Sequence, residues 1–104
     1  MPRSYSEAFL LDLYKSRESE PLGINLGKLC VKANIPASYV ALALEVSPTM
    51  VYKWFRGAGI RKKKTKVVEV FMDFLNEDMK SGVLPAKNSI DARLYIQNLV
   101  GIKI

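Results

Sequence analysis

The sequence predicts an all-α protein, a compact bundle of about six helices that contains a helix-turn-helix. Two observations favour this fold class. Apolar residues recur with a period of about 3.6 along the chain, and the alternation typical of β-strands is nearly absent. At 104 residues the chain has the length of one domain, so we expect residues 1–104 to fold as a single helical unit. Its predicted parts are an N-terminal helix and loop (1–24), a helix-turn-helix core with a basic linker and a long helix (25–80), and a C-terminal helix and tail (81–104).

The first predicted helix spans residues 5–17. Ser4 and Glu7 have the spacing of a capping box, and an apolar run follows them. Pro21 lies in the loop that ends this helix.

The second and third predicted helices are separated by a short break. Asn25 is the expected cap of a helix over residues 26–34, in which Cys30 belongs to the apolar stripe. We therefore expect Cys30 to be a small core residue rather than a reactive thiol. Residues 37–44 are almost wholly apolar and predict a buried helix that ends near Glu45.

The fourth predicted helix spans residues 48–56 and has the clearest start signal of the chain. Ser47 stands at the N-cap and Pro48 at the first helical position, where no intrahelical partner exists for an N–H. Gly57 and Gly59 end the helix.

Two further helices complete the prediction. Thr65 is the expected cap of a long amphipathic helix that runs to about Lys80, and Ser89 opens a last helix over residues 90–100, followed by a short apolar tail. The residues of the long helix that we expect to be buried are Val67, Val68, Phe71, Met72, Phe74 and Leu75.

The positive charge of the chain is concentrated in one segment. The net charge is +6, from sixteen basic and ten acidic residues. Residues 53–66 hold seven of the bases and no acid, so this segment carries the whole excess, next to the aromatic residues Tyr52, Trp54 and Phe55. This pattern is typical of a phosphate-binding surface. A solvated basic loop that only keeps the protein soluble is the alternative explanation.

The fourth helix has two predicted faces. Thr49, Tyr52, Lys53 and Arg56 share one side at helical spacing, and we call them the polar edge; Val51, Trp54 and Phe55 lie mostly opposite. Every side chain of the polar edge can donate hydrogen bonds and none is acidic. Such side chains suit base edges and phosphates in a major groove, although a surface helix facing water would have the same pattern.

Residues 26–57 resemble the helix-turn-helix of the Cro/XRE family of phage-type repressors. The landmarks that carry this resemblance are small or apolar: Ala41 in the first helix, Val46 after the turn, and Val51 with Trp54 on the inner side of the second helix. The sequence departs from the family's pattern in three ways. The glutamines that often begin the two helices are missing, with Ala37 and Thr49 nearby instead, so the resemblance implies no operator sequence. Glu45 stands where glycine is usual, so we expect the turn to open differently, and Pro36 stands where a Ser or Thr cap is usual.

The resemblance implies a sequence-specific protein that binds double-stranded DNA, a transcriptional regulator of the repressor kind from a phage or bacterium. In the family the second helix enters the major groove. The matching positions that would face DNA are Ser47, Thr49, Tyr52, Lys53 and Arg56. The basic linker, residues 61–66, would hold phosphate with Arg61, Lys62, Lys63, Lys64 and Lys66.

Pairing over two half-sites is usual for such repressors, so we expect a homodimer. Residues 86–104 are the candidate pairing surface, because they hold more apolar side chains than one terminal helix needs. With equal weight, this segment could instead fold back and complete the core.

A second functional class is a phage protein-interaction module or a DNA-packaging recognition subunit. Such a protein would use the same helix-turn-helix and would contact a protein of the host's transcription machinery. Its candidate docking surface is the acidic, apolar first helix and the loop after it, with Glu7, Asp12, Glu18 and Glu20.

Composition argues against catalysis. The chain has no histidine and one cysteine, so it lacks the usual general base and the usual metal ligands, and we expect no enzyme activity, no metal and no cofactor. The carboxylates Glu69, Asp73, Glu77 and Asp78 are expected to form a solvated helix face. No long apolar run and no signal peptide is seen, so we expect a soluble protein of the bacterial or phage-infected cytoplasm without a membrane partner.

Overall fold

A computed structural model describes residues 5–14 and 21–100 of the chain, and helices account for 73% of these residues. The six helices are α1 (Glu7–Leu13), α2 (Leu22–Ala33), α3 (Ala37–Leu44), α4 (Pro48–Phe55), α5 (Lys62–Lys80) and α6 (Ser89–Val100). No strand occurs in the two described ranges. The predicted all-α class and the number of helices are confirmed.

Two predicted helix starts are wrong. Helix α2 begins at Leu22 with Pro21 as its N-cap, so Asn25 is an exposed residue inside the helix rather than its cap. Helix α5 begins at Lys62 with Arg61 as its N-cap, and the Thr65 hydroxyl donates back to the Arg61 carbonyl at 3.1 Å. In both cases the helix extends back past the capping side chain, so the predicted basic linker is largely the first turn of α5.

Three helices end in the same way. Asn34, Glu45 and Gly57 adopt positive φ values of 58°, 58° and 108° after α2, α3 and α4. After α3, the Val46 N–H donates to the Ala41 carbonyl at 3.0 Å and the Glu45 N–H to the Leu42 carbonyl at 3.4 Å. These paired bonds are those of a Schellman motif, which satisfies carbonyls at a helix end. The prediction that Glu45 opens the turn differently is wrong, because Glu45 adopts the left-handed conformation itself.

The core is formed mainly by α2, α3, α4 and the inner face of α5. Cys30 is fully buried there, as predicted, and burial raises the pKa of its thiol, so the reactive thiolate is disfavoured. On α5, Val68, Phe71 and Leu75 are buried and Met72 is half-buried. Val67 and Phe74 were expected in the core but are exposed, because they flank the buried stripe of Val68, Phe71 and Leu75 instead of lying within it.

The C-terminal part of the described chain joins the core. Helix α6 packs on α3 and buries Ala92 and Ile96, whereas Ile90 and Leu94 stay exposed. The loop before it is tied to the end of α2, where the Ala86 N–H donates to the Ala33 carbonyl at 2.9 Å. Much of the apolar material at 86–100 therefore completes the core, and residues 101–104 lie outside the described ranges.

The first helix is held by a buried hydrogen bond near its start. The Tyr5 hydroxyl donates to the Ile35 carbonyl at 2.6 Å, between α2 and α3. The predicted capping by Ser4 and the predicted helical residues 15–17 lie outside the described residues. Within them, the Phe9 N–H donates to the Ser6 hydroxyl at 3.2 Å.

Candidate nucleic-acid interface

Helix α4 begins as its sequence predicts. The Met50 N–H donates to the Ser47 hydroxyl at 3.2 Å, and Pro48 occupies the first turn. Ser47 follows the Schellman turn at Glu45 by two residues, so α3 and α4 are joined by a turn of only three residues, 45–47. This short connection places the start of α4 next to the end of α3.

The two predicted faces of α4 are present. Val51 and Phe55 are fully buried and Trp54 is 3% exposed, so one side of the helix is anchored in the core. Thr49, Lys53 and Arg56 are exposed, as is Ser47 at the N-cap. The structure thus brings four of the five predicted groups of this helix to one open surface.

Tyr52 differs from the other members of the polar edge. Its side chain is half-buried, with its ring 5.7 Å from that of Phe9 in an edge-to-face arrangement and 6.1 Å from that of Phe55. Tyr5 also stacks on Phe9, at 5.4 Å. Tyr52 therefore packs against α1 through an aromatic cluster. Local spacing on α4 gives no signal for this contact, since Phe9 is distant in the sequence.

A close helix contact fixes the position of α4. Gly23 and Gly27, one turn apart on α2, are both buried against it. An added Cβ at Gly23 would lie 2.8 Å from the Trp54 carbonyl carbon, and one at Gly27 would lie 3.1 Å from the Phe55 ring. These two glycines let α2 approach α4 more closely than side chains would permit.

The basic residues at the start of α5 are not equivalent. The Lys64 ammonium group is half-buried and donates to the Leu44 carbonyl at 2.8 Å, at the C-terminal end of α3. A cation is favourable there because of the helix dipole. Lys64 is therefore a structural contact, and it holds the start of α5 beside the turn between α3 and α4. The exposed bases of this region are Arg61, Lys62, Lys63 and Lys66.

The first turn of α5 has an unusual charge pattern. It contains no acidic residue, and Lys62 and Lys63 follow Arg61, whose side chain does not cap the helix. Positive side chains at a helix N-terminus are unfavourable by roughly 0.3–1 kcal/mol each at low ionic strength. A surface that concentrates charge at such a cost is well suited to an anionic partner.

The acidic residues form two groups. Glu69, Asp73 and Glu77 are exposed, as predicted for a solvated face, but Asp78 accepts a hydrogen bond from the Tyr95 hydroxyl and joins α5 to α6. Burial and this bond raise the pKa of Tyr95.

Of the predicted protein-docking residues, Glu7 is exposed. The described part of the chain does not include Glu18, Glu20 or the side chain of Asp12.

Within the described ranges, no group of three or more potential ligands is placed to hold a metal ion, and no helix has both the length and the apolar character needed to cross a membrane. No protein-family model matches the chain. No curated protein and no solved structure matches it significantly.

Proposed function

We propose that this chain binds double-stranded DNA in a sequence-specific way and regulates transcription, with α3 and α4 acting as a helix-turn-helix. The observation that carries the proposal is the exposed edge of α4. Thr49, Lys53 and Arg56 face outward from a helix whose opposite side is anchored by Trp54. A rigid helix that presents only hydrogen-bond donors of positive or neutral charge is suited to a major groove.

Each exposed group has a chemical counterpart on DNA. Arg56 can donate two hydrogen bonds to guanine, and Lys53 can donate to guanine or to a phosphate. Thr49 and Ser47 stand at the start of α4, the part of a recognition helix that contacts base edges in this binding mode. We assign Tyr52 to holding α4 against α1, because its ring is packed on Phe9.

The phosphate contacts would come from the exposed bases beside this helix. Six of the seven bases in residues 53–66 are exposed, since Lys64 is engaged by the Leu44 carbonyl. Phosphate at the start of α5 would relieve the repulsion among Arg61, Lys62 and the helix dipole. The resemblance to Cro/XRE repressors is compatible with this geometry, because Glu45 adopts the positive φ for which the family uses glycine.

Selection of bound fragments from random duplex DNA tests the proposal. We expect one enriched sequence. If at most six basic side chains contact phosphate, the slope of log K against log salt concentration should be no steeper than about −5. Arg56→Ala should reduce discrimination between the selected and a random duplex by roughly 1–3 kcal/mol, whereas Arg61→Ala should weaken both alike. No binding to any duplex, or equal loss of both duplexes in the two variants, would contradict the proposal.

Regulation is tested separately from binding. The selected sequence is placed over a promoter, and transcription is measured in vitro with the wild-type chain and with Arg56→Ala. We expect the wild-type chain to lower transcript yield and the variant to restore it. Specific binding without any change in transcript would favour the DNA-packaging alternative.

A further inference from the structure

An exposed apolar stripe lies on α5 beside the side of the helix that is buried in the core. Val67, Val70 and Phe74 are 44%, 45% and 50% exposed, and they lie at i, i+3 and i+7 on one side of the helix. Exposed apolar side chains are ordinary one at a time, but three in a row along one helix form a contiguous patch. This stripe also comprises two of the residues that the sequence predicts to be in the core.

The charges along this same side change sign from one end to the other. Lys63 and Lys66 lie on the N-terminal half of the stripe, and Asp73 and Glu77 on its C-terminal half. Lys63 and Glu77 are each seven residues from Val70, which corresponds to about 10 Å along the helix axis. Among the described residues, neither Asp73 nor Glu77 has an intrachain ion pair. The acidic and basic residues beside the stripe are thus too far apart to form ion pairs with one another within one chain.

We propose that this face of α5 binds the same face of a second copy of the chain, with the two helices antiparallel and Val70 at the two-fold axis. In that arrangement Lys63 lies opposite Glu77 of the second copy. The Lys66 side chain lies over Phe74 of the second copy and reaches its Asp73. The symmetry makes each contact twice, as in any isologous interface.

Charge complementarity indicates that the partner of this face of α5 is a second copy of the chain. A parallel α5 would set bases against bases and acids against acids, whereas an antiparallel α5 pairs opposite charges at both ends of the apolar stripe. Helix α6, on which Ile90 and Leu94 are exposed, carries only two charged residues, Asp91 and Arg93, and both lie in its first half, so it has no basic end and acidic end to pair in this way. Helix α5 is therefore favoured over α6 as the pairing surface.

The pairing has two consequences. Three apolar side chains per copy form a small interface, so the association should be weak and should depend on concentration and salt. In the dimer Lys63 and Lys66 face acids of the second copy, which leaves Lys53, Arg61 and Lys62 as the candidate phosphate-contacting residues. The inference does not depend on the proposed function, and it is measured without DNA.

Sedimentation equilibrium of the full chain at low salt tests the pairing. We expect a monomer–dimer equilibrium that Val70→Glu weakens at least about tenfold. Leu94→Glu, at a similarly exposed site on α6, is the matched control and should leave the equilibrium unchanged. A wild-type chain that stays monomeric at every concentration, or a dimer that is lost only in Leu94→Glu, would overturn the proposal.

Charge reversal gives a sharper test of the register. Lys63→Glu and Glu77→Lys should each weaken the dimer when introduced alone, and the double variant Lys63→Glu/Glu77→Lys should restore it. The exchange brings opposite charges face to face only when the two helices are antiparallel, because in a parallel pair each residue would face its own copy. Circular dichroism checks that the variants are folded. If the folded double variant dimerises no better than the single variants, the antiparallel register is wrong.

A covalent variant tests the axis itself. Val70→Cys should form an interchain disulfide under mild oxidation, because the two residues meet at the axis. Val83→Cys, which is 57% exposed and outside α5, controls for random oxidation. Equal crosslinking of the two variants would overturn the assignment of Val70 to the axis.

Discussion

The backbone of α2 at Gly23 lies against the backbone of α4 at Trp54. An ideal Cβ on Gly23 would lie 2.8 Å from the Trp54 carbonyl carbon and 2.9 Å from its Cβ, distances that real side chains do not reach. The exposed edge of α4 is therefore positioned by this close approach of the two helices, which is possible because Gly23 has no side chain. Since backbone is less able to move aside than the end of a side chain, this contact is rigid.

Gly23→Ala should destabilise the protein by roughly 2–3 kcal/mol, because α2 and α4 must move apart to admit the methyl group. Chemical denaturation measures the loss. Gly59→Ala is the matched control, since nothing lies within 4 Å of its added Cβ. The control should change stability by less than about 1 kcal/mol and in the stabilising direction. Similar effects of the two substitutions would refute the close contact.

Glu45→Gly should stabilise the protein by up to about 1 kcal/mol. Glu45 has a φ of 58°, a conformation that costs a residue with a Cβ roughly 1–2 kcal/mol, and the greater freedom of glycine in the unfolded chain offsets part of the gain. Glu45→Ala removes the carboxylate but keeps the Cβ, so it should give no such gain. If the alanine variant is as stable as the glycine variant, charge rather than backbone strain is responsible.

Tyr5→Phe should cost about 1 kcal/mol at neutral pH, because the Ile35 carbonyl loses its donor. Burial, with smaller contributions from Cys30 and Tyr52, raises the pKa of Tyr5 above its ordinary value of 10.0. The unfolded chain therefore releases this proton first, and the wild-type protein should lose stability as pH rises above 10.0. Denaturation across this range should show the difference between wild type and Tyr5→Phe shrinking. A constant difference would argue against the burial of the hydroxyl.

The sequence correctly predicted features that depend only on neighbouring residues, such as the start of α4. Ser47 and Pro48 specify the start of α4 through one hydrogen bond and one fixed φ, and the structure places both as expected. The caps assigned to Asn25 and Thr65 failed because a polar side chain before an apolar run is also compatible with a helix interior. The contact of Tyr52 with Phe9 and that of Lys64 with Leu44 join separate helices, and no spacing along one helix encodes them.

Lys64→Met should destabilise the protein by about 1 kcal/mol. The ammonium group donates to the Leu44 carbonyl at 2.8 Å, and a half-exposed position reduces the value of such a bond below that of a buried one. Lys63→Met is the matched control. Both changes remove one positive charge from the first turn of α5, so their difference isolates the bond to Leu44. The comparison is made by denaturation at a concentration where the chain is monomeric, and equal stabilities would contradict a structural role for Lys64.

Lys62→Glu should make the protein more stable and a weaker DNA binder. Lys62 is exposed at the first position of α5, where the helix dipole favours an anion, so the exchange should add roughly 0.5–1 kcal/mol of stability. If Lys62 meets a phosphate, the same change should weaken selected and random duplexes alike and make the salt dependence shallower by about one unit. Lys80→Glu is the control, because it reverses the same charge at the opposite end of the helix. It should lower stability by a similar amount and leave DNA affinity unchanged. A Lys62→Glu variant that gains stability and keeps its affinity would remove the start of α5 from the DNA-binding surface.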